Sequence, residues 1–357
     1  MRRLTNLQHL RALAALVVVL GHVITETSVY ADHQPGWLPA FPASFGVDIF
    51  FVISGFIMYY TTRAEWGRSG AAQAFMTRRL ARIVPIYWIL TAIEGLILFL
   101  SRLDEPARQL TPLQWIQSLA FIPYFDEAGK PRPILGVGWT LDYEMMFYTV
   151  FALSLIFRRK AGLLVLAGIF ASLLALGPFV RGAAVQTWTR PIIVEFLIGV
   201  ALGIWHAHGR KLGPLKVPPL LIAAGIVVFV STCLPKLNDT QRVEWQPVVW
   251  LFAGLVVFVG LISAQSRDET LFGKAASALG DGSYSLYLSH PITVGIYLSV
   301  LQKTHISKLL PAWTFLLSAL AIALGAAWLT YILIERPITR RLSRRIHRPL
   351  TAAARTA

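Results

Sequence analysis

Arg11 and His22 stand at the two ends of an unbroken apolar run, "RALAALVVVLGH". Eleven residues make about three turns at roughly 3.6 residues per turn, so on a helix both side chains project from one face. They lie about 16 Å apart along the axis. A plain membrane anchor needs neither residue. Asp48 follows in "FGVDIFFVISGF", near the start of the next apolar segment. A histidine and a carboxylate at the same depth on consecutive helices make an oriented base: the carboxylate fixes the imidazole tautomer and the other ring nitrogen takes a proton. A structural hydrogen bond closing the helix pair accounts for the two residues equally well.

Three further stretches carry polar groups inside apolar sequence. "GVGWTLDYEMMFY" holds Glu144 among Trp139, Tyr143, Phe147 and Tyr148, with Asp142 nearer the surface. Glu144 there can carry a proton or hold an arginine such as Arg11 in place. "GDGSYSLYLSHPI" holds Tyr284, Tyr287 and His290; Tyr287 and His290, three apart, face one site. "MTRRLARIVPIYW" holds Arg78, Arg79 and Arg82. Arg78 and Arg82 share a helical face and can grip phosphates together, although anchoring of a cytoplasmic helix entry alone explains arginines in that place. Ser54 in "ISG" lacks the strand–turn–helix setting of a nucleophile, and its "SGF" is better suited to close helix approach. The chain has no Walker loop, no GxGxxG after a strand and no HExxH, so no metal site and no bound cofactor is expected.

The elements that must position these groups are membrane helices. Of 357 residues, 55% are hydrophobic and 14% charged, against about 25% charged in a soluble protein; the mean hydropathy is +0.59. Apolar runs of bilayer-crossing length recur throughout, and long uninterrupted runs argue for helices over a barrel. The pattern predicts an all-α bundle of ten spans, near 6–24, 44–62, 83–100, 137–156, 162–180, 191–208, 218–234, 246–264, 283–300 and 312–334. The outer stretch 101–136 mixes prolines, aromatics and both charge signs, and reads as a packed loop with a short helix at 112–121. Ionisable residues within such spans are costly and point to function by default.

The net charge of +15 does not imply nucleic acid. Counting loops alternately from the N-terminus, 22 of the 33 Lys and Arg fall on one side, which the positive-inside rule makes cytoplasmic for both termini. Residues 1–340 read as one transmembrane domain. The basic tail 341–357 can rest on anionic headgroups of the membrane lipids. The single cysteine, Cys233, excludes a disulfide framework.

With these residues in view, the chain resembles the membrane-bound acyltransferase type 3 family, which O-acylates carbohydrates at the bacterial cytoplasmic membrane. The resemblance covers the whole chain and rests on an ordered set: Arg11 with His22, "GVDIFFVISGF", "RRLARIVP", "GWTLDYEMMFY" and "SYSLYLSHP". It is closest to the short exopolysaccharide acetyltransferases of the succinoglycan-decorating kind. Many relatives read Trp-Thr-Leu-x-x-Glu-Glu, whereas the second acid here is Met145, so only Glu144 can inherit that role. Longer relatives carry an extra extracytoplasmic domain; without one, transfer is expected to finish within the bundle or at its outer mouth.

The resemblance implies an O-acyltransferase that uses acyl-CoA, acetyl-CoA first of all, as co-substrate. It implies His22 and Arg11 as essential, with Asp48 and Glu144 orienting or polarising. A polyanionic donor also gives Arg78, Arg79 and Arg82 something to bind on the side where topology puts them. Trp139, Tyr148, Tyr284, Tyr287 and His290 would line the substrate pocket. Expected partners are the donor, a glycan or lipid-linked oligosaccharide acceptor, membrane lipids and polysaccharide assembly proteins. A transporter of a glycan or lipid-linked intermediate is the alternative, disfavoured because the chain shows no inverted repeat or paired broken helices. A membrane scaffold would leave Arg11, His22, Asp48 and Glu144 buried without a catalytic reason. The topology has its own test: a Gln34→Cys variant, with the unsubstituted chain as control for Cys233, is expected to react with an impermeant thiol reagent from outside the cell only.

Overall fold

A computed structural model describes residues 4–30, 43–101, 109–208, 222, 225–226, 239–262, 270–304 and 311–342. The described residues are helical apart from loops and a lone bridge between Phe125 and Pro131. In chain order the α-helices are α1 (Thr5–Tyr30), α2 (Ser44–Thr62), α3 (Ala71–Ser101), α4 (Pro112–Leu119), α5 (Trp139–Leu155), α6 (Arg159–Leu176), α7 (Ala183–Trp188), α8 (Val194–Ala207), α9 (Asp239–Ile262), α10 (Leu271–Asp281), α11 (Ser283–Lys303) and α12 (Ala312–Thr330). Helices thus stand at nine of the ten expected positions. The tenth, 218–234, lies almost wholly outside the described residues, as does the tail beyond 342.

Length and apolarity are a stricter criterion than helicity. Among the described residues five helical segments are long and apolar enough to cross a membrane: Thr5–Glu26, Ser44–Thr62, Ala71–Ser101, Arg159–Phe179 and Trp313–Leu342. α5 is only 17 residues long, and α11 carries Ser283, Ser285, Ser289, His290 and Gln302. The polar residues that suggest chemistry are the ones that dilute these two helices. The last segment runs on past its expected end at 334. A π-helical turn spans Tyr331–Glu335 and the helix then continues to residue 342. The wider turn takes up Pro337, which has no N–H to return to the preceding turn.

The chain divides into two compact units, residues 1–61 with 194–328, and residues 62–193 with 329–357. In the first unit, α1 and α2 are largely buried. Leu10, Ala14, Phe45, Ile49, Val52, Ile53 and Phe56 form a core with Ala253, Val256 and Val257 of α9. α2 and α8 approach closely through two glycines. A Cβ on Gly55 would run into the carbonyl of Phe196, and one on Gly199 into the carbonyl of Val52. The small residues of "SGF" therefore serve packing, as expected.

In the second unit α3 and α5 run antiparallel. Phe75 meets Tyr148 and Phe151 with ring centroids 6.0 and 5.2 Å apart, while Tyr87 lies against Gly138 at the start of α5. α3 then continues fourteen residues beyond Tyr87 to Ser101, about four turns. The loop of 109–135 packs along that overhang: Tyr87 Oη donates to the Ser118 carbonyl at 3.0 Å, Trp88 Nε1 donates to the Leu119 carbonyl at 2.9 Å, and Trp115 lies on Gly95. Its short helix α4 begins on Pro112 with a capping box, Thr111 and Gln114 each accepting from the other's backbone N–H. Exposed Leu96, Phe99, Leu100 and Leu164 give this unit an apolar surface suited to lipid.

The α2–α8 crossing gives a direct test. Gly55→Leu forces a side chain into a backbone contact, and overpacking of this kind costs about 1–3 kcal/mol. The variant is expected to show a clear fall in Tm in detergent, whereas Gly168→Leu, where a Cβ meets nothing within 4 Å, leaves Tm unchanged.

Candidate functional site

The candidate residues fall into two groups, one within each unit. In the first unit, α1 is tied to its neighbours by a series of polar contacts. Asn6 Nδ2 donates to the Gly260 carbonyl at 3.1 Å, and His9 Nε2 lies 3.2 Å from Ser277 Oγ. Arg11 is 8% exposed. Its Nη2 donates to Ser283 Oγ at 2.9 Å and its Nη1 to Gln8 Oε1 at 3.3 Å. Ser283 Oγ in turn donates to the Gly280 carbonyl at 2.9 Å. Eleven residues on from Arg11, His22 Nδ1 stands 3.0 Å from Nε2 of His290, with the ring centroids 4.9 Å apart. From Arg11–Ser283 to His22–His290 both chains advance in the same direction, so α1 and α11 are parallel.

His22 is half-buried and His290 fully buried. Tyr287 joins them, its ring 6.2 Å from that of His290 and 6.2 Å from Phe50. The i,i+3 pair of the sequence therefore does face one place, with His22 as its third member. Tyr284 stands half-buried in the first turn of α11, six residues before His290.

Asp48 is not where the sequence puts it. Gly46 lies against the Ala14 carbonyl and Val18, and Gly21 against Ala43. This antiparallel register sets Asp48 level with Ala12 to Leu16. His22 is six to ten residues farther along α1, about 9–15 Å at 1.5 Å per residue. The segment ends suggest equal depth, and the crossing point of the helices overrides it. Asp48 is buried, 2% exposed, at the level of the apolar run rather than beside the imidazole.

In the second unit, the α3–α5 register brings Arg79 to Glu144 and Tyr148. Tyr148 Oη donates to Glu144 Oε1, one helical turn away on α5. Arg79 Cζ lies 5.6 Å from the Phe75 ring centroid and 5.9 Å from that of Tyr148, a cation–π arrangement. Tyr148, Arg82, Glu144 and Arg78 are its electrostatic neighbours. Sequence alone sets Glu144 toward the outer side and the arginines at the inner entry. The overhang of α3 removes that separation, because α5 begins about four turns short of the α3 end. Arg78 turns aside to an ion pair with Glu65 at 2.8 Å, both partners about one-third exposed. Arg82 is half-buried next to Arg79. Trp139 stands half-buried at the head of α5, edge-on to Tyr143 at 5.8 Å.

Several participants were not visible in the sequence. Ser283, which receives Arg11, is one serine among several in "SYSLYLSHP". Asp142, expected near the surface, is 1% exposed. Its neighbours are Tyr87 and Tyr124, and Trp188 Nε1 donates to its backbone carbonyl at 3.3 Å. In the loop, burial pushes the Tyr124 hydroxyl up; the Ser118 hydrogen bond opposes that rise and Asp142 adds to it. Among the described residues no three His, Cys, Asp or Glu side chains gather as metal ligands.

Comparison with known proteins places these groups in context. The sequence profile of a family described as an acyltransferase domain matches residues 4–332. The exopolysaccharide production protein ExoZ of Rhizobium meliloti is 34% identical over 309 residues, 83% of this chain and 89% of that protein. The acyltransferase MdmB of Streptomyces mycarofaciens is 26% identical over 98% of this chain and 95% of its own length. The peptidoglycan O-acetyltransferase OatA of Listeria monocytogenes is 25% identical over 93% of this chain and 55% of its own. No solved structure matches.

The Tyr148–Glu144 contact is open to direct measurement. Tyr148→Phe keeps the ring over Arg79 and removes only the O–H donor. The expected loss is about 1 kcal/mol of stability, read as a modest Tm decrease in detergent, with a larger decrease for Tyr148→Ala, which also removes the aromatic face.

Proposed function

The chain belongs to the acyltransferase family, and from that premise we propose that it is a multi-pass enzyme of the bacterial inner membrane, with both termini cytoplasmic, moving an acetyl or related acyl group from acyl-CoA to a hydroxyl of an exopolysaccharide or other envelope glycan, or of its lipid-linked precursor. The observation that carries this reading is the seating of His22 against His290, which gives a half-buried imidazole a fixed orientation next to aromatic side chains. The relatives named as an exopolysaccharide production protein and as an O-acetyltransferase support the acceptor class.

In the direct form of the reaction, His22 takes the proton of the acceptor hydroxyl as its oxygen bonds to the thioester carbonyl carbon. The C–S bond breaks, the CoA sulfur leaves as thiolate, and the proton passes from the imidazolium to it, giving free CoA thiol. General-base assistance of this kind contributes roughly 10²–10⁴-fold. Arg79 and Arg82 hold phosphate oxygens of the donor, for which planar guanidinium forks are suited, and Glu144 with Tyr148 holds Arg79 in position. Arg78, engaged by Glu65, has a lesser part. Arg11, fixed by Ser283, stands on the donor-facing half of α1.

The test uses purified protein in detergent or nanodiscs, acetyl-CoA and candidate glycan acceptors. Free thiol release is expected to fall on the order of 100-fold or more in His22→Ala, the loss of a positioned base. Arg79→Gln is expected to weaken acetyl-CoA binding about tenfold, as when one hydrogen bond to a charged group is removed. Thiol release unchanged in His22→Ala removes that residue from catalysis. Absence of donor consumption with every glycan, together with lost glycan export in a deletion strain, favours transport instead.

A further inference from the structure

We infer that His290 is the positioning residue that sets the tautomer of His22: it holds the proton of His22 on Nδ1 and so places the lone pair on Nε2, the atom that acts as base. The inference rests on the reading of His22 as the base, and it replaces the carboxylate that sequence reasoning put in the orienting role.

The argument runs from one ring to the next. His290 Nδ1 is 3.0 Å from the carbonyl oxygen of Leu286. A carbonyl only accepts, so Nδ1 of His290 carries hydrogen, and the neutral ring keeps its lone pair on Nε2. That Nε2 is 3.0 Å from His22 Nδ1. Two lone pairs do not face one another at this distance, so His22 Nδ1 is the donor, and in the neutral ring, the form that can act as a base, the lone pair is on Nε2. The other assignment puts a second proton on His290, a charge on a ring that is 0% exposed. The neighbours acting on that ring are another imidazole and the Leu286 and Tyr287 backbone. A buried charge without a counter-ion is far costlier than a neutral hydrogen bond.

The sequence "YLSHP" explains why this anchor exists. Pro291 follows His290 inside α11 and has no N–H, so the Tyr287 carbonyl, four residues earlier, loses its helical donor. His290 Nδ1–H points back into this same turn, to the Leu286 carbonyl at 3.0 Å. The proline thus leaves an acceptor-rich turn beside the imidazole, and that turn fixes which nitrogen of His290 is protonated. The tautomer of each ring is then set by the bond its other nitrogen makes. The parallel packing of α1 on α11, held in register by Arg11 on Ser283, keeps the two rings in contact.

The experiment reads the tautomer and the rate separately in the full chain. With ¹⁵N-histidine protein in nanodiscs, long-range ¹H–¹⁵N correlations are assigned by loss of the His22 signals in His22→Ala. Wild type is expected to show His22 protonated at Nδ1, and His290→Leu to show it protonated at Nε2 or as a mixture. In steady-state assays His290→Leu is expected to lower kcat on the order of 100-fold with little change in KM for acetyl-CoA. His290→Gln, whose amide oxygen can accept from Nδ1–H, is expected to recover most of the loss. His22 protonated at Nε2 in wild type overturns the inference, as does a His290→Gln variant no better than His290→Leu. If His290→Leu fails to fold, the wild-type tautomer and the His290→Gln rate still decide. Full activity of His22→Ala would sink the base assignment itself, whatever tautomer is found.

Discussion

A polar side chain on a helix within an apolar bundle must find its partner in the protein, on its own helix or on a neighbour, because lipid supplies none. α1 meets this constraint repeatedly: Asn6 on the Gly260 carbonyl, His9 on Ser277, Arg11 on Ser283 and His22 on His290. Each contact fixes the same axial register, so a slide of α1 by one turn would break all of them together. Apolar packing along Ala14, Val18 and Val23 tolerates many registers. The hydrogen bonds tolerate one, and that register also sets the histidine pair.

The second unit reaches its polar cluster by a different route. α3 and α5 interlock through Phe75, Tyr148, Phe151 and Tyr87, an aromatic contact with little directional content of its own. Its alignment comes from the loop of 109–135, which occupies the last turns of α3 and leaves α5 to begin deeper. Arg79 consequently meets Glu144 and the face of Tyr148 in place of lipid. The loop therefore shapes the charge distribution inside the bundle as well as covering it.

Taken chemically, the two clusters differ in kind. The histidine pair of the first unit is a directional contact between two imidazoles, suited to moving a proton at one defined nitrogen. The arginine cluster of the second is cationic and partly screened by Glu144 and Glu65, suited to an anion with several oxygens. The thioester donor and sugar hydroxyl of the proposed reaction call for both properties.

The helical class, the positions of most helices, the short helix α4 and the small-residue role of Gly55 were legible in the sequence, because period, length and glycine content are local properties. So was the set of polar residues, since Arg11, His22, Glu144 and His290 stand out against apolar neighbours. Which of them meet was not legible. Whether Asp48 meets His22 depended on the α1–α2 crossing point, and whether Glu144 meets the arginines depended on the length of the α3 overhang; both are set by packing between segments distant in the chain. Ser283 carried no signal, one hydroxyl being like another until a guanidinium faces it. The sequence by itself determined which groups are too costly to bury alone; only the tertiary structure decided their partners, because a hydrogen bond depends on atoms within about 3 Å and spacing along a chain does not specify that distance between helices.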